Sequence, residues 1–482
     1  FLSGEPGVGK TRLAQEATLI CRASGMHVVT GRCYEPQQHV PFSPFVEVLS
    51  RLVKASRAML GLDAVQHWPQ LARLLPDEEA AGPPSGGEAD QQRLFWAVGG
   101  LLELLAGGMP LAVALDDLHW ADDSSLALLQ HLTAQLRHVP VLLLGTYREA
   151  DLRSEHPLAR MLRHLHREHL AEEIGVGRLN EEETRALIAA TLGGEVHPAL
   201  ARLVYEHTEG NAFFVQEVVR ALAERGEAVE KDAMWQYRAQ SEMAIPPTVQ
   251  EAIRERLTRL SPRAQATLEQ ASVLGQTFAF EELQAMSGRS EEEIEAELAE
   301  AADASVVRLG EGESYTFNHA LTQRVLYREL PPRRRKRLHL AAGQALVQQP
   351  EPNREQRAAE LAWHFVEGGE GGEALKYAAL AGDQAERRFA HREAEQHYRS
   401  ALHLAENLGD AAVDAVILER LGRVLTNDGQ FEEARALLDR AVSRYRKLSH
   451  QEGEARVTVQ LASVHMGLGT PDAAIVMTES LL

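Results

Sequence analysis

The run Gly4-Glu5-Pro6-Gly7-Val8-Gly9-Lys10-Thr11 constrains this chain more than any other stretch. It satisfies the phosphate-loop pattern at every position and lies between an apolar segment, Phe1–Ser3, and a helical pattern, Leu13–Ser24. The pattern has its meaning only in that strand–loop–helix context. Glycines let successive backbone N–H groups turn inward around an anion without Cβ clashes. Lys10 places a charge at the β- and γ-phosphates, and the Thr11 hydroxyl is a ligand for Mg²⁺. Arg12 opens a helix whose positive end faces the same anion. The expected nucleotide contacts are therefore Gly4, Glu5, Pro6, Gly7, Val8, Gly9, Lys10, Thr11 and Arg12.

Two further strand ends complete a reaction site on paper. In Leu111-Ala112-Val113-Ala114-Leu115-Asp116-Asp117 an apolar strand runs out into paired acids. Asp116 is placed to hold Mg²⁺ together with Thr11, and Asp117 to orient or deprotonate an attacking water. In Val141-Leu142-Leu143-Leu144-Gly145-Thr146-Tyr147-Arg148 a buried strand delivers Arg148 to the same carboxyl edge, where ligands of open α/β sheets bind. There Arg148 either senses a γ-phosphate or pairs with Glu149 or Asp151. The catalytic set expected is Lys10, Asp116, Asp117 and Arg148.

The remaining chain must form other units, because 482 residues exceed one core. Strand-like segments at Phe1–Ser3, Met26–Thr30, Leu111–Leu115, Val139–Thr146 and Ile174–Leu179 alternate with helices, which predicts a parallel sheet. The stretch Ala80–Asp90 reads as an exposed loop. From Asn180 to about Gln240 the pattern is helical with no strand. Pro246 and Pro247 open a new unit with helices near Thr248–Leu260, Pro262–Leu274 and Glu291–Asp303. A strand pair follows, Val306–Leu309 and Ser314–Phe317, turning at Gly310–Gly312, an arrangement that suggests a winged helix. From Leu338 onward everything is helical. Ala394, Ala434 and Ala474 recur at a period of roughly 40, the mark of stacked tetratricopeptide-like hairpins, with Tyr398, Leu438 and Met477 near a matching packing position. The expected architecture is a multidomain α/β + α chain. A P-loop core with a parallel sheet spans 1–179, a helical lid 180–240, a winged-helix domain 241–339 and helical repeats 340–482.

Composition excludes some functions. The formal charge is −20, which repels nucleic acid and anionic lipid at long range. The candidate recognition helix carries Glu291, Glu292, Glu293, Glu295, Glu297 and Glu300, so no direct DNA contact is expected. The basic run Arg333–Arg337 opens an amphipathic helix and reads as a solvated face or as partners to nearby acids. The most apolar stretch, Leu101–Leu115, is broken by Glu103, Gly107, Gly108 and Pro110, and no membrane association is expected. Cys21 and Cys33 form neither a disulfide framework nor a metal site, so reduced thiols in a cytoplasmic protein are expected. Phe1 enters a strand directly and Leu482 stops inside a helical pattern, so the sequence reads as a segment of something longer.

The run Asp116-Asp117-Leu118-His119-Trp120-Ala121-Asp122, between the phosphate loop and Gly145-Thr146-Tyr147-Arg148, resembles the STAND signalling ATPases. More closely, it resembles the branch found in large LuxR-type transcription activators, the bacterial maltose activator among their relatives, and in some nucleotide cyclases and kinases. It continues through Gly210-Asn211-Ala212-Phe213-Phe214, Ile245-Pro246-Pro247 and Phe317-Asn318-His319-Ala320-Leu321 into the repeats. The resemblance implies a slow, Mg²⁺-dependent ATPase that acts as a switch. ADP would hold the core, lid and winged helix closed; an inducer, protein or small molecule, bound at the repeats would permit exchange for ATP, opening and self-association. The output, DNA-binding or cyclase, would lie outside this segment. By the same resemblance His319 contacts the nucleotide phosphate; the plain alternative is a packing histidine. His119 and Trp120 are expected to pack behind the strand edge. The sequence departs from the family at Ala212, where relatives carry Pro, and it lacks the residues before the first strand where relatives bind adenine. The competing reading is an interaction scaffold that binds nucleotide for stability and does not cycle.

Overall fold

The computed structural model describes residues 1–34, 38, 40–75, 88–152, 155–231, 234–238, 249–310, 313–349 and 353–479. Pro246, Pro247, most of the Ala80–Asp90 segment and the tip of the Gly310–Gly312 turn fall outside them; Glu88–Asp90 are the first residues of a helix, Glu88–Gly108.

The first unit is an all-parallel sheet. Strands β1 (Leu2–Ser3), β2 (His27–Arg32), β3 (Leu111–Asp116), β4 (Val141–Gly145) and β5 (Ile174–Gly175) are laid down in that chain order. β3 pairs with β2 and β4, β1 pairs with β5, and a parallel bridge from Leu2 to Thr146 joins the two halves. The spatial order is thus β2-β3-β4-β1-β5. β3 is central, and its five apolar residues are all buried, as expected for a strand covered on both faces. The chain leaves β1 and crosses to β2 at the far edge, so the loop after β1 sits where strand order reverses, the place such sheets bind ligands. β5 is shorter than the apolar segment Ile174–Leu179 predicts. Past Gly175 the chain turns to serve the next unit, with the Leu179 N–H donating to the Gly210 carbonyl (2.8 Å).

The second unit corrects an expectation. Residues 180–240 are not purely helical. Three helices, Glu181–Leu192, Pro198–Thr208 and Ala212–Glu224, pack with a small sheet of β6 (Glu195–Val196), β7 (Ala228–Lys231) and β8 (Met234–Tyr237) in the order β6-β8-β7. Helical periodicity ends at Gly226, which adopts φ 69° and starts the β7–β8 hairpin. Strands of two to four residues carry too few side chains to display an alternation, so pattern alone passes over them.

The third unit holds helices Val249–Leu257, Pro262–Leu274, Phe280–Ser287, Glu291–Asp303 and Ala320–Glu329 around an antiparallel sheet. Its strands, β9 (Thr277–Ala279), β10 (Val307–Leu309) and β11 (Ser314–Phe317), run in the order β10-β11-β9. Two of the acids on Glu291–Asp303 are structural. Glu297 is buried against Arg289 (2.6 Å), and Glu300 accepts from the Ser261 hydroxyl (2.7 Å) at the start of Pro262–Leu274.

The helical region starts at Pro332, six residues earlier than expected, with Pro at the first turn of Pro332–Val347. Antiparallel helices follow from Ala358–Gly368 to Pro471–Glu479. Their register is set by small-to-large contacts. A Cβ at Gly382 would lie 2.5 Å from the Tyr398 ring, and one at Gly422 2.5 Å from Leu438; both partners are displaced by 40 residues from one contact to the next. Ala394, Ala434 and Ala474 are all buried, so the repeat seen in sequence is a packing repeat. The apolar cluster of the first sheet is continuous with that of these helices, while the second and third units have clusters of their own.

Candidate functional site

The loop Gly4–Thr11 wraps the start of helix Lys10–Ala23 with Gly4, Gly7 and Gly9 all at positive φ. Gly7 is required twice over: its φ is 85°, and a Cβ would sit 2.8 Å from the Asn211 Oδ1 and 3.1 Å from the Phe213 Cβ. The Lys10 amine donates to the carbonyls of Gly4 (2.9 Å) and Glu5 (2.8 Å), so the charge is held inside the loop it serves. Burial, and then the charge of Arg148, lowers its pKa. Thr11 Oγ1 donates to Asp116 Oδ1 (3.1 Å), bringing together the two oxygen donors expected to share a cation. Arg12, by contrast, is exposed and pairs with Glu16. Glu5 is also exposed, and salt-bridges Arg178 (2.8 Å).

The carboxyl edge of the sheet supplies the rest. Asp116 also accepts from the Thr146 hydroxyl (2.5 Å) and lies 3.4 Å from Arg32. The Asp117 backbone N–H donates to the same hydroxyl (2.9 Å), and Asp117 turns off the strand at φ 58°. That turn, uncommon for a residue other than glycine, carries its carboxylate toward Arg148 Nε (3.9 Å) and His119 (3.8 Å). Burial, and then the neighbouring Asp116 charge, pushes the Asp117 carboxyl up to about 6. Arg148 also approaches Asp151 (3.8 Å), so it stands at the sheet edge with one of the acid partners the sequence offered. His119 is buried between Asp117 and Asp151 with neither ring nitrogen hydrogen-bonded. Burial holds its pKa down to about 2, so the ring is neutral. It packs behind the strand end, tilted on Trp120, as the sequence suggests.

The second and third units close over the loop. Asn211 Nδ2 donates to the Pro6 carbonyl (3.0 Å), and the Phe213 N–H to the Gly7 carbonyl (2.9 Å). Ala212 opens the helix capped by Asn211, and the loop contacts come from its two neighbours. The His319 ring lies on Phe213, centroids 3.9 Å apart, so this histidine reaches the loop through one aromatic residue. Burial, then Arg256, lowers its pKa to about 4, so the ring is neutral.

Four contributors escaped the sequence reading. Arg32 lies in register with Asp116, but the expected strand stopped at Thr30. Thr146 and Asn211 stood in quoted motifs without a role. Glu393, in the helix His391–Leu408, had no signal beyond its place beside Ala394. It reaches the N-terminus of helix Asp123–Gln135, where it accepts from the Ser124 N–H (2.9 Å) and hydroxyl (2.7 Å). Asp122, last residue of the Asp116–Asp122 run, caps the same helix through Ser125 N–H (2.8 Å) and holds the Phe42 N–H (3.0 Å). Arg392 pairs with Asp123 (3.3 Å), and Gln91 donates to the Phe389 carbonyl (2.8 Å), completing the contact between the first unit and the repeats.

The residues fit a nucleotide with a divalent cation. Glycines at positive φ leave the loop's concave face open, and Thr11 with Asp116 gives two hard oxygen donors. Among the described residues no group of three or more His, Cys, Asp or Glu could hold a metal by itself. This suits Mg²⁺, which is usually bound by one or two protein oxygens together with phosphates and water. No described helix is long and apolar enough to cross a membrane.

A parallel sheet with a phosphate loop at its switch point and acids at the adjacent strand end defines a P-loop ATPase-type domain. Residues 1–144 match the family model described as AAA ATPase domain. Over 94% of its length the chain is 26% identical to an uncharacterized protein of Rhizobium meliloti (strain 1021), of which it spans 45%. Among solved structures, a Signal Transduction ATPase with Numerous Domains (STAND) protein with a tetratricopeptide repeat sensor from Pyrococcus horikoshii is 14% identical. It aligns over 100% of this chain and 73% of its own, with a TM-score of 0.45. A RuvB variant of Thermotoga maritima is 15% identical over 68% of this chain and 87% of its own, with a TM-score of 0.25.

Proposed function

We propose that this chain is the nucleotide-binding and sensing part of a STAND-type switch, which holds ADP when closed and ATP when open and hydrolyses ATP slowly. The observation that carries the reading is the closure of two further units on the phosphate loop: Asn211 and Phe213 bond directly to Pro6 and Gly7, and His319 lies behind Phe213. An ATPase core that only turned over would not need its loop roofed by a unit that is backed by another packed on the repeats. The third unit is a winged helix used for internal docking, and the helical region is a tetratricopeptide-like sensor for a protein or small-molecule inducer. Self-association on opening, a fused DNA-binding or cyclase output beyond this segment, and a cytoplasmic setting complete the proposal.

ATP with Mg²⁺ supplies the phosphoanhydride and the cation that neutralises charge on it. Gly4 to Thr11 cradle the phosphates with backbone N–H groups, and Lys10 moves from loop carbonyls to phosphate oxygens. Thr11 and Asp116 hold the cation, with Thr146 and Arg32 fixing the Asp116 carboxylate. Asp117 orients the attacking water and accepts its proton; a carboxyl with a pKa of about 6 is ionised at neutral pH yet more basic than usual. Arg148 gives a charged hydrogen bond where the γ-phosphate ends.

Magnitudes argue for two inputs. Moving a switch from 1:99 to 99:1 takes about 5.5 kcal/mol of differential binding. One charge-assisted hydrogen bond gives about 1.5–3 kcal/mol, so Arg148 cannot open the molecule alone. The repeats, docked through Glu393, are the second input.

The test is to denature the purified chain and identify released nucleotide by chromatography, with Lys10→Ala as control. Near-stoichiometric ADP that is lost in Lys10→Ala supports the switch. A protein that carries no nucleotide and fails to bind added ATP sinks it.

A further inference from the structure

The buried ring of His119 has no part in the mechanism above. It sits in the 3₁₀ turn Leu118–Trp120, just past Asp117, with its side chain 1% exposed. Among the described residues neither ring nitrogen finds a hydrogen-bond partner. A ring that only filled space would leave a buried N–H unpaired, a cost that leucine or phenylalanine would not carry.

Its nitrogens nevertheless aim at two carboxylates. Nδ1 lies 3.8 Å from Asp117 Oδ1, and Nε2 lies 3.7 Å from Asp151 Oδ2. Arg148 approaches the same two oxygen atoms: its Nε is 3.9 Å from Asp117 Oδ1 and its Nη1 3.8 Å from Asp151 Oδ2. Imidazole and guanidinium are thus alternative donors to one pair of acceptors. All four distances exceed the roughly 2.7–3.2 Å of a formed N–H···O bond, so the acids are committed to neither donor. A movement of about 1 Å would commit them.

Burial keeps the His119 ring neutral, so it has one N–H to give and can serve one acid at a time. The Asp151 side chain is 39% exposed and reaches solvent, whereas that of Asp117 is 15% exposed. The N–H is therefore worth most on Asp117.

We propose that His119 is a positioning residue for hydrolysis, whose Nδ1–H takes hold of the Asp117 carboxylate when Arg148 leaves it for the γ-phosphate. The inference rests on the switch reading above and names how the site exchanges partners within it. Without a donor, Asp117 would rotate away from the water it orients; a hydrogen bond from a buried, packed ring fixes it. The ring gives a hydrogen bond and keeps its proton, so the proton of the attacking water still goes to Asp117. Before Arg148 turns, the ring is unpaired. The bond is thus made only in the state that reacts, which is where it raises the rate.

ATP binding and single-turnover hydrolysis by the whole chain test this in His119→Leu, His119→Gln and His119→Asn. An asparagine amide nitrogen falls near the position of Nδ1, and a glutamine one near that of Nε2. All three variants should bind ATP with Mg²⁺ within about twofold of the parent, because the bond is absent from the ground state. His119→Leu and His119→Gln should turn ATP over about 10–100-fold more slowly, the loss of one hydrogen bond to a charged acceptor. His119→Asn should stay within about threefold of the parent, since it keeps a donor at the Nδ1 position. Added to Asp117→Asn, His119→Leu should cause no further loss, because it acts through Asp117.

Parental turnover in His119→Leu overturns the inference, as does a further drop in the double variant. Turnover kept in His119→Gln and lost in His119→Asn also overturns it, since Asp151 would then be the working partner. Equal losses in all three variants, matched by falls in Tm, would leave His119 as packing. The comparison of His119→Gln with His119→Asn decides even if His119→Leu does not fold. A parent chain that fails to bind or turn over ATP would instead sink the switch reading, and this inference with it.

Discussion

The carboxyl group of Glu393 hydrogen-bonds both the backbone N–H and the hydroxyl of Ser124, so a residue of the repeats helps cap a helix of the ATPase-type domain. Removing it in Glu393→Ala leaves a buried N–H without a partner, a loss of about 1–3 kcal/mol. The undocked population should rise accordingly. Amide hydrogen exchange in helix Asp123–Gln135 and basal ATP turnover should both increase, and unchanged exchange would remove Glu393 from the contact.

The same residue makes docking sensitive to pH. Burial, and then the Asp122 charge, raises the Glu393 carboxyl from 4.5 to about 8. Docked Glu393 thus keeps a proton that undocked Glu393 has lost, and docking weakens as pH rises from about 4.5 through about 8. Asp122, Arg388 and the Arg392–Asp123 pair are the other charged groups nearby. Exchange rates in helix Asp123–Gln135, corrected for intrinsic base catalysis, should show this slope in the parent and a flat profile in Glu393→Gln.

Asp117→Asn should bind ATP with Mg²⁺ as the parent does and turn it over at least about 100-fold more slowly, the contribution typical of a positioned base. In the parent, turnover should fall as pH drops through about 6, where Asp117 takes up its proton. Single-turnover assays check both, and parental rates in the variant would exclude Asp117 from the chemistry.

Phe213 is buried, bonds to Gly7 through its N–H and carries the His319 ring. Phe213→Ala should cost about 3–5 kcal/mol of stability and speed ADP release strongly. His319→Ala should leave stability nearly intact yet raise the ADP off-rate several-fold in stopped-flow measurements. Equal off-rates would make His319 a packing residue.

Glu217 and Arg256 form a buried ion pair (2.6 Å) that ties the second unit to the third. Glu217→Ala strands a buried guanidinium and should cost about 3–5 kcal/mol, whereas Glu217→Met with Arg256→Leu should cost much less. Denaturant unfolding of the three chains distinguishes pairing from packing.

Much of this was legible because it is local. Gly4–Thr11 and the Asp116–Asp117 strand end are contiguous, and their chemistry follows from residue type and order. Helices Pro262–Leu274 and Glu291–Asp303 begin and end at the residues their caps predict, Ser261 and Ser290 both accepting from the first-turn backbone. What stayed hidden is non-local or too short to have a period. The β6–β8 sheet has strands of two to four residues. Arg32 gains its role from register across a sheet, and Glu393 gains its own from a surface 269 residues away in sequence.

The seven residues Asp116 to Asp122 carry a further consequence. Their first two acids face the phosphate edge, while the last caps the helix on which the repeats rest. One short 3₁₀ turn, Leu118–Trp120, is all that separates them. Under the proposed function, a shift of the repeats needs no long relay through the core to reach the Asp117 carboxylate, because the two acids lie at opposite ends of one seven-residue run.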